Sequence, residues 1–414
     1  MTMAQRLKHI AQRIVFFLSI MGPGLITASA GNDAPGIATY SMAGSVYGYD
    51  FLWILLWVAV GAIFVQEMSA RMGAITGKGL TDLIRERYGV RVTLLVMLGL
   101  VVANLGTTAA QFAGIAASAE LFGLSRYVMV PLAALGVWFL VLRGSYQRVE
   151  KVLLFLSLYA VGYIVSAFLV RPPWGTILHK AMIPTLQLNA NYLLTLLAIV
   201  GTTITPWGCA YMQASVADKG VTPKEYPYTR LDVLFGTAVS SLVSAFIIIC
   251  TTATLFVHGI RVDAAKQAAL ALAPLAGPWA GILFGAGLLG ASLLAASVLP
   301  LATTYAVCEA FGWERGVNRS PREAPVFYGL YTALIAISAA AVLIPGIPLF
   351  PLMWLSQVLN AVLLPFVLLF MLSLANDPRI MKHWHNTWLT NVVTTVLAIL
   401  IVLASLALLA APLL

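Results

Sequence analysis

The segment with the clearest chemical potential is a polar interruption of an apolar stretch near the N-terminus. Asn32, Asp33, Ala34, Pro35 and Gly36 place a carboxylate, a residue without an amide hydrogen and a flexible residue in the middle of that stretch. Proline removes a backbone hydrogen bond and glycine lowers helix rigidity, so a helix is expected to break here and release carbonyl oxygens. A carboxylate beside free carbonyls is an oxygen site that suits a hard metal cation.

A second interruption of the same kind lies near the middle of the chain. Residues 202–208, TTITPWG, combine three threonines with a proline and a glycine. Paired discontinuous helices in the two halves of a transporter are the best sequence indication of an ion site at the bilayer midplane. Thr202 and Thr205 are the candidates here, because they stand immediately before Pro206.

Each candidate also has a purely structural explanation. Aspartate is a good helix N-cap, so Asp33 can simply cap the helix that follows the break. A threonine in a membrane helix commonly donates its hydroxyl to a carbonyl one turn earlier. Asp33 stays the leading candidate because an intramembrane carboxylate is costly and usually faces a cavity or a partner. No Lys or Arg lies in the core of any other predicted span to neutralise it.

The composition supplies the framework that would position these residues. Hydrophobic residues make up 61% of the 414 positions and charged residues 9%, which is far from a soluble domain. Apolar stretches long enough to cross a bilayer, about 20 residues each, recur from end to end, and they must be helical because lipid leaves backbone groups no other partner. The eleven predicted spans are 12–47, 51–73, 92–121, 126–142, 150–171, 191–216, 231–257, 276–309, 326–345, 350–375 and 387–411.

These spans predict an all-α membrane protein with a single transporter domain over residues 1–414. The two interruptions are offset by five spans, which predicts two repeats of five helices, roughly residues 12–171 and 191–375, followed by an extra helix at 387–411. An odd number of spans in each repeat places the second upside down relative to the first. The interrupted helices are the first and the sixth.

The basic residues predict the orientation, since loops rich in Lys and Arg stay in the cytoplasm. With the N-terminus in the cytoplasm and the C-terminus on the opposite side, five of the 24 Lys and Arg fall outside: Arg126, Arg171, Lys180, Arg261 and Lys266. This multi-pass topology in the cell membrane explains the net charge of +9, and scattered short basic loops do not predict nucleic-acid binding. The basic N-terminal segment is predicted to be a retained anchor and not a cleaved signal peptide.

Other chemistry finds little support in the sequence. The cysteines match no metal or redox spacing, and the histidines lie in loops or at span edges, which leaves no intramembrane imidazole. No serine, histidine and acid set stands together, so an enzyme, a cofactor and an obligate protein partner are not expected. Glu309, which closes the eighth span, is a minor candidate for an ion pathway. The cysteines and histidines considered above are Cys209, Cys250, Cys308, His9, His179, His258, His383 and His385.

The chain resembles the natural resistance-associated macrophage protein (NRAMP) family, proton-coupled transition-metal transporters with the LeuT-type inverted repeat. The resemblance rests on GPG at 22–24 before Asp33, YGYDFLW, SARMGAITGKGL, the threonine-rich sixth span and SQVLNAVLLPF. It implies that Asp33 binds the ion directly or through its waters, with the carbonyls of Ala30 and Thr202 and the side chain of Thr205 nearby. Asn32 has no family counterpart and is added because its amide stands beside Asp33.

The departures from the family pattern concern the ligands. The family's first-helix motif is Asp-Pro-Gly-Asn, whereas Asp33 is followed here by Ala-Pro-Gly, so Gly36 stands at the position of the amide ligand. The sixth-helix Met-Pro-His is replaced by Thr205, Pro206 and Trp207, which removes a thioether and an imidazole.

Two further departures concern the pathway. The family's acidic pair of the third helix falls on Thr108 and Gln111, and the tenth-helix glutamine falls on Leu363, with Asn360 one turn earlier. The resemblance therefore makes Gln111, Thr108, Trp207 and Asn360 candidates for the pathway or the surroundings of the site, none of them titratable.

These changes in ligands all favour hard cations. Losing a thioether removes the discrimination against hard cations, and an oxygen site suits Mg²⁺, which keeps part of its hydration shell. The pattern is similar to the NRAMP-related magnesium transporters, which implies uptake of Mg²⁺ and Mn²⁺ by alternating access without proton coupling. The alternatives are a proton-coupled Mn²⁺ or Fe²⁺ importer, a carrier of a trivalent ion, an organic-solute transporter of the same fold, whose substrate carboxylate Asp33 would repel, and a metal sensor.

Overall fold

A computed structural model of the chain describes residues 32–142, 160–317 and 319–410. Every regular element in these ranges is a helix, as the all-α prediction requires. The predictions for Ala30 and for the GPG segment at 22–24 lie outside the described residues.

The helices that fall in the predicted spans are numbered here in chain order. They are α1 (Ala34–Tyr47), α2 (Leu52–Thr76), α3 (Leu80–Leu121), α4 (Arg126–Leu142), α5 (Ala160–Val170), α6 (Ala190–Thr203), α7 (Pro206–Asp218), α8 (Tyr226–Thr254), α9 (Ala280–Phe311), α10 (Pro325–Val342), α11 (Leu349–Ala375) and α12 (Trp388–Ala410). Short α- or 3-10 helices lie between them at Gly48–Phe51, Trp174–Met182, Phe256–His258, Ala265–Ala269, Leu270–Leu272, Ala273–Ala276, Gly277–Trp279, Pro378–Met381 and Lys382–Trp384.

The helices follow the predicted spans closely. Within the described ranges, eight helical stretches are long and apolar enough to cross a membrane, and α4 is a shorter apolar helix. The sixth span is interrupted where expected, between α6 and α7. Within α3 two helical segments, residues 80–88 and 90–121, meet at a kink at Gly89 (φ 78°, ψ 174°). The predicted start of the third span at residue 92 lies close to the start of the second, apolar segment, and the first segment was not predicted. Glycine adopts this backbone conformation without the steric cost that other residues have.

The first helix lies at the centre of the bundle, where α3, α6, α8, α9 and α11 pack around it. Two glycines permit the closest approaches. A Cβ atom on Gly114 of α3 would lie 2.3 Å from the Cβ atom of Ala34, and one on Gly201 of α6 would lie 1.9 Å from the carbonyl oxygen of Gln357 on α11. Small residues at such crossings let helix backbones approach in a membrane, and both crossings adjoin a helix break.

Candidate functional site

At the predicted first break, Asp33 is the N-cap of α1. Its backbone is extended (φ −73°, ψ 177°), and its Oδ1 accepts a hydrogen bond from the Gly36 amide at 2.9 Å. Proline is tolerated in the first turn because the amides there have no acceptor within the helix. Gly36, predicted to stand at a ligand position, supplies an N–H donor to Asp33. The capping role that the sequence suggested for Asp33 is therefore confirmed.

The second oxygen of Asp33 meets a residue from another helix. Oδ2 accepts a hydrogen bond from the Gln111 side-chain amide at 2.5 Å. Asp33 is 3% exposed and Gln111 is fully buried. The ion pairs of the described residues do not include Asp33, and the Gln111 Oε1 atom has no hydrogen-bond partner among these residues. The carboxylate is thus held by neutral donors, next to an amide oxygen that lacks a donor.

The second break lies between Thr203 and Pro206. Ile204 and Thr205 are extended, and the Thr205 hydroxyl oxygen accepts a hydrogen bond from the Gly208 amide at 3.1 Å, which makes Thr205 the N-cap of α7. Pro206 is the fourth residue after Thr202, so the Thr202 carbonyl lacks the amide donor that a continuous helix would provide. The Thr202 hydroxyl is also buried without a partner among the described residues. This break therefore offers oxygen atoms that protein donors leave free.

Polar contacts that the sequence did not suggest join α1 to α6 near the breaks. The Tyr40 hydroxyl on α1 and the Thr203 hydroxyl on α6 lie 2.9 Å apart, at hydrogen-bonding distance. Next to them, Gly201 packs directly on the backbone of Gln357. Together these contacts join α1, α6 and α11.

An apolar cluster around Trp207 lies at the start of α7. The indole is fully buried in a group of residues separate from the main core, namely Trp207, Tyr211, Leu294, Val298, Leu299 and Ala302. Its Nε1 atom has no hydrogen-bond partner in the described part of the chain. Further along α7, the Gln213 side chain donates to the Lys78 carbonyl at 3.0 Å, which holds α7 against the turn between α2 and α3. Trp207 therefore packs α7 against α9.

Asn32 lies beside Asp33 in sequence but faces a different helix. Its side-chain amide donates to the Ser240 hydroxyl at 3.0 Å, and its oxygen accepts from the Ser244 hydroxyl at 3.1 Å. Both serines belong to α8. Asn32 thus fastens the break to α8, and the structure does not bring its oxygen together with Gln111.

The two remaining pathway candidates differ in what they contact. The Thr108 hydroxyl donates to the Asn104 carbonyl of its own helix at 2.7 Å, the structural role expected of a threonine. The Asn360 amide on α11 donates to the Thr107 hydroxyl on α3 at 3.1 Å. Thr107 was missed from the sequence, although it stands four residues before Gln111 and therefore on the same helix face.

Glu309 is paired with nearby groups at its end of the bundle. Its carboxylate accepts a hydrogen bond from the Thr81 hydroxyl at 2.8 Å and lies 3.8 Å from the Arg315 guanidinium. It packs directly on Gly79, where a Cβ atom would lie 2.0 Å away. Within the described ranges, no group of three or more His, Cys, Asp or Glu residues is placed to hold a metal ion. A site at the breaks would therefore combine one carboxylate with neutral oxygens.

The solved structures that resemble this fold are transporters. A manganese transporter of Eremococcus coleocola superposes with a TM-score of 0.74 at 20% identity, covering 95% of this chain and 86% of that one. MhsT, a LeuT-fold transporter solved in complex with L-phenylalanine, superposes with a TM-score of 0.59 at 16% identity, covering 94% and 98%. At these identities the likeness concerns the fold alone, and it confirms the predicted LeuT-type architecture.

Sequence comparison gives the family. The divalent metal cation transporter MntH of Aeromonas hydrophila is 27% identical over 406 residues, or 94% of each chain, and MntH of Clostridium acetobutylicum is 27% identical over 98% of this chain and 93% of its own. These relatives are transporters by name, in agreement with the prediction that the chain is not an enzyme. Residues 24–411 match the family described as natural resistance-associated macrophage protein-like. The chain belongs to this family, as its motifs predicted.

Proposed function

We propose that this protein carries divalent metal ions across the cell membrane by alternating access, with Mg²⁺ as the main substrate and Mn²⁺ as the second. Membership of the family and the names of the relatives support a divalent metal substrate. The observation that carries the proposal is Asp33, a buried carboxylate held by the Gly36 amide and the Gln111 side chain, with no basic partner among the described residues. A cation from solution is the partner that such a charge lacks.

The proposed ligands are all hard oxygen donors. Asp33 supplies the charge, Thr202 supplies a carbonyl and a hydroxyl, and Thr205 supplies its hydroxyl, while the Ala30 carbonyl remains a prediction from the family resemblance. Gln111 adds an amide oxygen that has no other donor. A single carboxylate supplies little ligand charge for a dehydrated ion. It suits Mg²⁺, however, which is usually bound through one or two carboxylates and keeps several waters.

A soft ligand is not provided at the second break. Thr205 has a hydroxyl at the position where the family motif has a thioether. Cys209 begins the next turn of α7, and its thiol contacts Ser69 of α2. Without sulfur at the site, selectivity for Mn²⁺ or Cd²⁺ over Mg²⁺ is expected to be weak.

Transport without protons is proposed for a related reason. Gln111 contacts the carboxylate of Asp33, and Thr107, Asn360 and Trp207 lie on the helices around it. None of these four side chains titrates in the physiological range. The runner-up is a proton-coupled Mn²⁺ or Fe²⁺ importer, the usual activity of the family that the sequence resembles. An organic-solute carrier, such as MhsT with its amino acid, is disfavoured because Asp33 would repel a substrate carboxylate.

Alternating access requires a closure on each side of the site, and the two open in turn. We propose that the Tyr40–Thr203 contact belongs to the outer closure and the Trp207 cluster to the cytoplasmic closure, because the basic loops favour a cytoplasmic N-terminus. A buried N–H without a partner costs about 1–3 kcal/mol. If α7 moves away from α9, water can accept a hydrogen bond from the Trp207 indole. The indole N–H, which has no partner among the described residues, therefore favours opening of the cytoplasmic closure.

Flux measurements in liposomes test the proposal. The purified protein is reconstituted with an internal Mn²⁺ indicator and, in parallel, with an internal pH dye, and Mn²⁺ uptake is followed with Mg²⁺ or Ca²⁺ as competitor. We expect Mg²⁺ to slow Mn²⁺ entry and the internal pH to stay constant. Acidification that accompanies Mn²⁺ entry would support the runner-up, and a failure of Mg²⁺ to compete would contradict the proposed substrate.

A further inference from the structure

A cavity of about 640 Å³ opens at the far end of the bundle from the α1–α2 turn, between the start of α3, the end of α11 and the start of α12. Its lining includes Arg87, Leu369, Leu372, Asn376, Arg379 and Asn391. Asn376 stands 16 residues beyond Asn360, which is about 24 Å along a helix at 1.5 Å per residue. The cavity is therefore remote from the breaks, and the proposed function uses none of its residues.

The cavity carries an excess of positive charge. Asp377 accepts a hydrogen bond from the Arg379 backbone amide at 2.9 Å, and its second oxygen lies 3.3 Å from the Arg87 guanidinium. The Arg379 guanidinium has no ion pair within the parts of the chain that the structure describes. The cavity is thus lined by two arginines and one carboxylate, and only Arg87 is paired with that carboxylate. Guanidinium groups bind phosphate oxygens through directed, charge-assisted hydrogen bonds.

Hydrogen bonds between helices fix the polar wall of the cavity. The Asn376 and Asn391 side chains donate to each other at 2.8 and 2.9 Å, and Asn386 also donates to Asn391 at 2.8 Å. These contacts join the end of α11 to the start of α12. The polar groups are therefore held at fixed positions around the opening.

The lining becomes apolar with distance from this end of the bundle. Leu372 lies about one turn before Asn376 on α11, and Leu369 about one turn further. Leu369 is 65% exposed and faces outward, where lipid surrounds a membrane helix. A ligand that fills this cavity meets guanidinium and amide groups at one end and leucine side chains at the other.

We propose that the cavity binds an anionic phospholipid, with the lipid phosphate at Arg87 and Arg379 and an acyl chain along Leu369 and Leu372. The loops at this end are the basic ones, and basic pockets between helices on the cytoplasmic side are suited to anionic headgroups. Free phosphate is also an anion that guanidinium groups bind, but it leaves the leucines uncovered, so the proposal is a lipid site and not a phosphate site.

Thermal unfolding in detergent tests the site without reference to ion transport. Phosphatidylglycerol or phosphatidylcholine is added to the wild type, to the double variant Arg87→Gln/Arg379→Gln, and to Arg322→Gln. Arg322 is an exposed arginine in the neighbouring α9–α10 loop, outside the cavity. A ligand that binds only the folded state raises the melting temperature. We expect phosphatidylglycerol to raise Tm by roughly 3–6 °C more than phosphatidylcholine in the wild type and in Arg322→Gln, and not in the double variant.

Three results would overturn the lipid site. They are an equal response to both lipids, a full response to phosphatidylglycerol in the double variant, and the same Tm increase from inorganic phosphate alone. If the double variant does not fold, native mass spectrometry of the wild type in an equal mixture of both lipids replaces it. Preferential retention of phosphatidylglycerol supports the site, and equal retention of both lipids refutes it.

Discussion

At both helix breaks an extended residue caps the following helix through its side chain. Asp33 accepts the Gly36 amide at 2.9 Å and Thr205 accepts the Gly208 amide at 3.1 Å, and a proline lies in the first turn of each helix. The geometry is the same, but only one cap carries a charge. Threonine shows that a neutral side chain suffices for this cap, whereas a carboxylate in the membrane is costly. The charge of Asp33 therefore needs a purpose beyond capping.

The largest expected effect comes from making the two caps alike. Asp33→Thr keeps a capping hydroxyl and removes the charge, so we expect the protein to fold while Mn²⁺ uptake falls by roughly two orders of magnitude, equivalent to about 3 kcal/mol of binding free energy. Asp33→Ala is expected to lose uptake as well, together with the cap. Liposome flux measures the loss, and the melting temperature reports on folding. Uptake at the wild-type rate in Asp33→Thr would remove Asp33 from the site.

A change of ion preference is expected from the second cap. Thr205→Met places a thioether at the break, and we expect the preference for Mn²⁺ or Cd²⁺ over Mg²⁺ to rise by roughly tenfold, because sulfur favours softer ions. Competition of Cd²⁺ and Mg²⁺ against Mn²⁺ flux measures it. Thr205→Val is the control, since it loses the same hydroxyl without gaining sulfur. The comparison of hard and soft sites fails if Thr205→Met leaves the Mg²⁺ to Cd²⁺ ratio unchanged.

A smaller effect on ion affinity is expected from changing Gln111, the neutral residue that donates a hydrogen bond to Asp33. Gln111→Leu removes the donor to Asp33 and a free amide oxygen, so we expect the KM for Mn²⁺ to rise by about tenfold, in line with about 1.4 kcal/mol for one hydrogen bond to a charged group. Thr108→Val is the matched control, because its hydroxyl bonds within its own helix. Equal KM values for the two variants would show that Gln111 has no special role.

The smallest effect concerns stability alone. Thr205→Val removes the neutral cap of α7, and we expect the free energy of unfolding to fall by about 1 kcal/mol. Thr205→Ser keeps a capping hydroxyl and should unfold like the wild type. Thermal unfolding in detergent compares the two variants, and an equal loss in both would mean that the cap contributes nothing.

Much of the framework followed from the sequence because lipid imposes strong rules. Apolar length set the spans, and Pro35 and Pro206, each close to a glycine and polar residues, marked the breaks. Proline alone does not interrupt a helix here, since Pro131, Pro300 and Pro365 lie inside α4, α9 and α11. The apolar segment of α3 was placed closely, whereas the helical segment before Gly89 was missed because residues 80–88 are largely polar and hydropathy does not register such a helix. Local rules of this kind are visible in a sequence, whereas the direction of a side chain at a break is not.

The contents of the site show this limit. Asp33 and Asn32 are neighbours in sequence, yet the first faces α3 and the second faces α8, because an extended backbone directs successive side chains apart. Thr108 was named where Thr107 makes the contact with α11, a shift of about 100° around the helix. The proposed closures at Tyr40 and Trp207 depend on partners far along the chain, which no local pattern indicates.

Equilibrium binding to Asp33→Asn tests the role of the charge most directly. Asparagine keeps the size of the side chain and is as good an N-cap as aspartate, so the variant removes little but the negative charge. Isothermal titration calorimetry with Mg²⁺ and with Mn²⁺ compares it with the wild type under identical conditions. We expect both ions to bind the wild type and neither to bind Asp33→Asn in the same concentration range. Equal affinities in the two proteins would contradict the assignment of Asp33 as the ion-binding carboxylate.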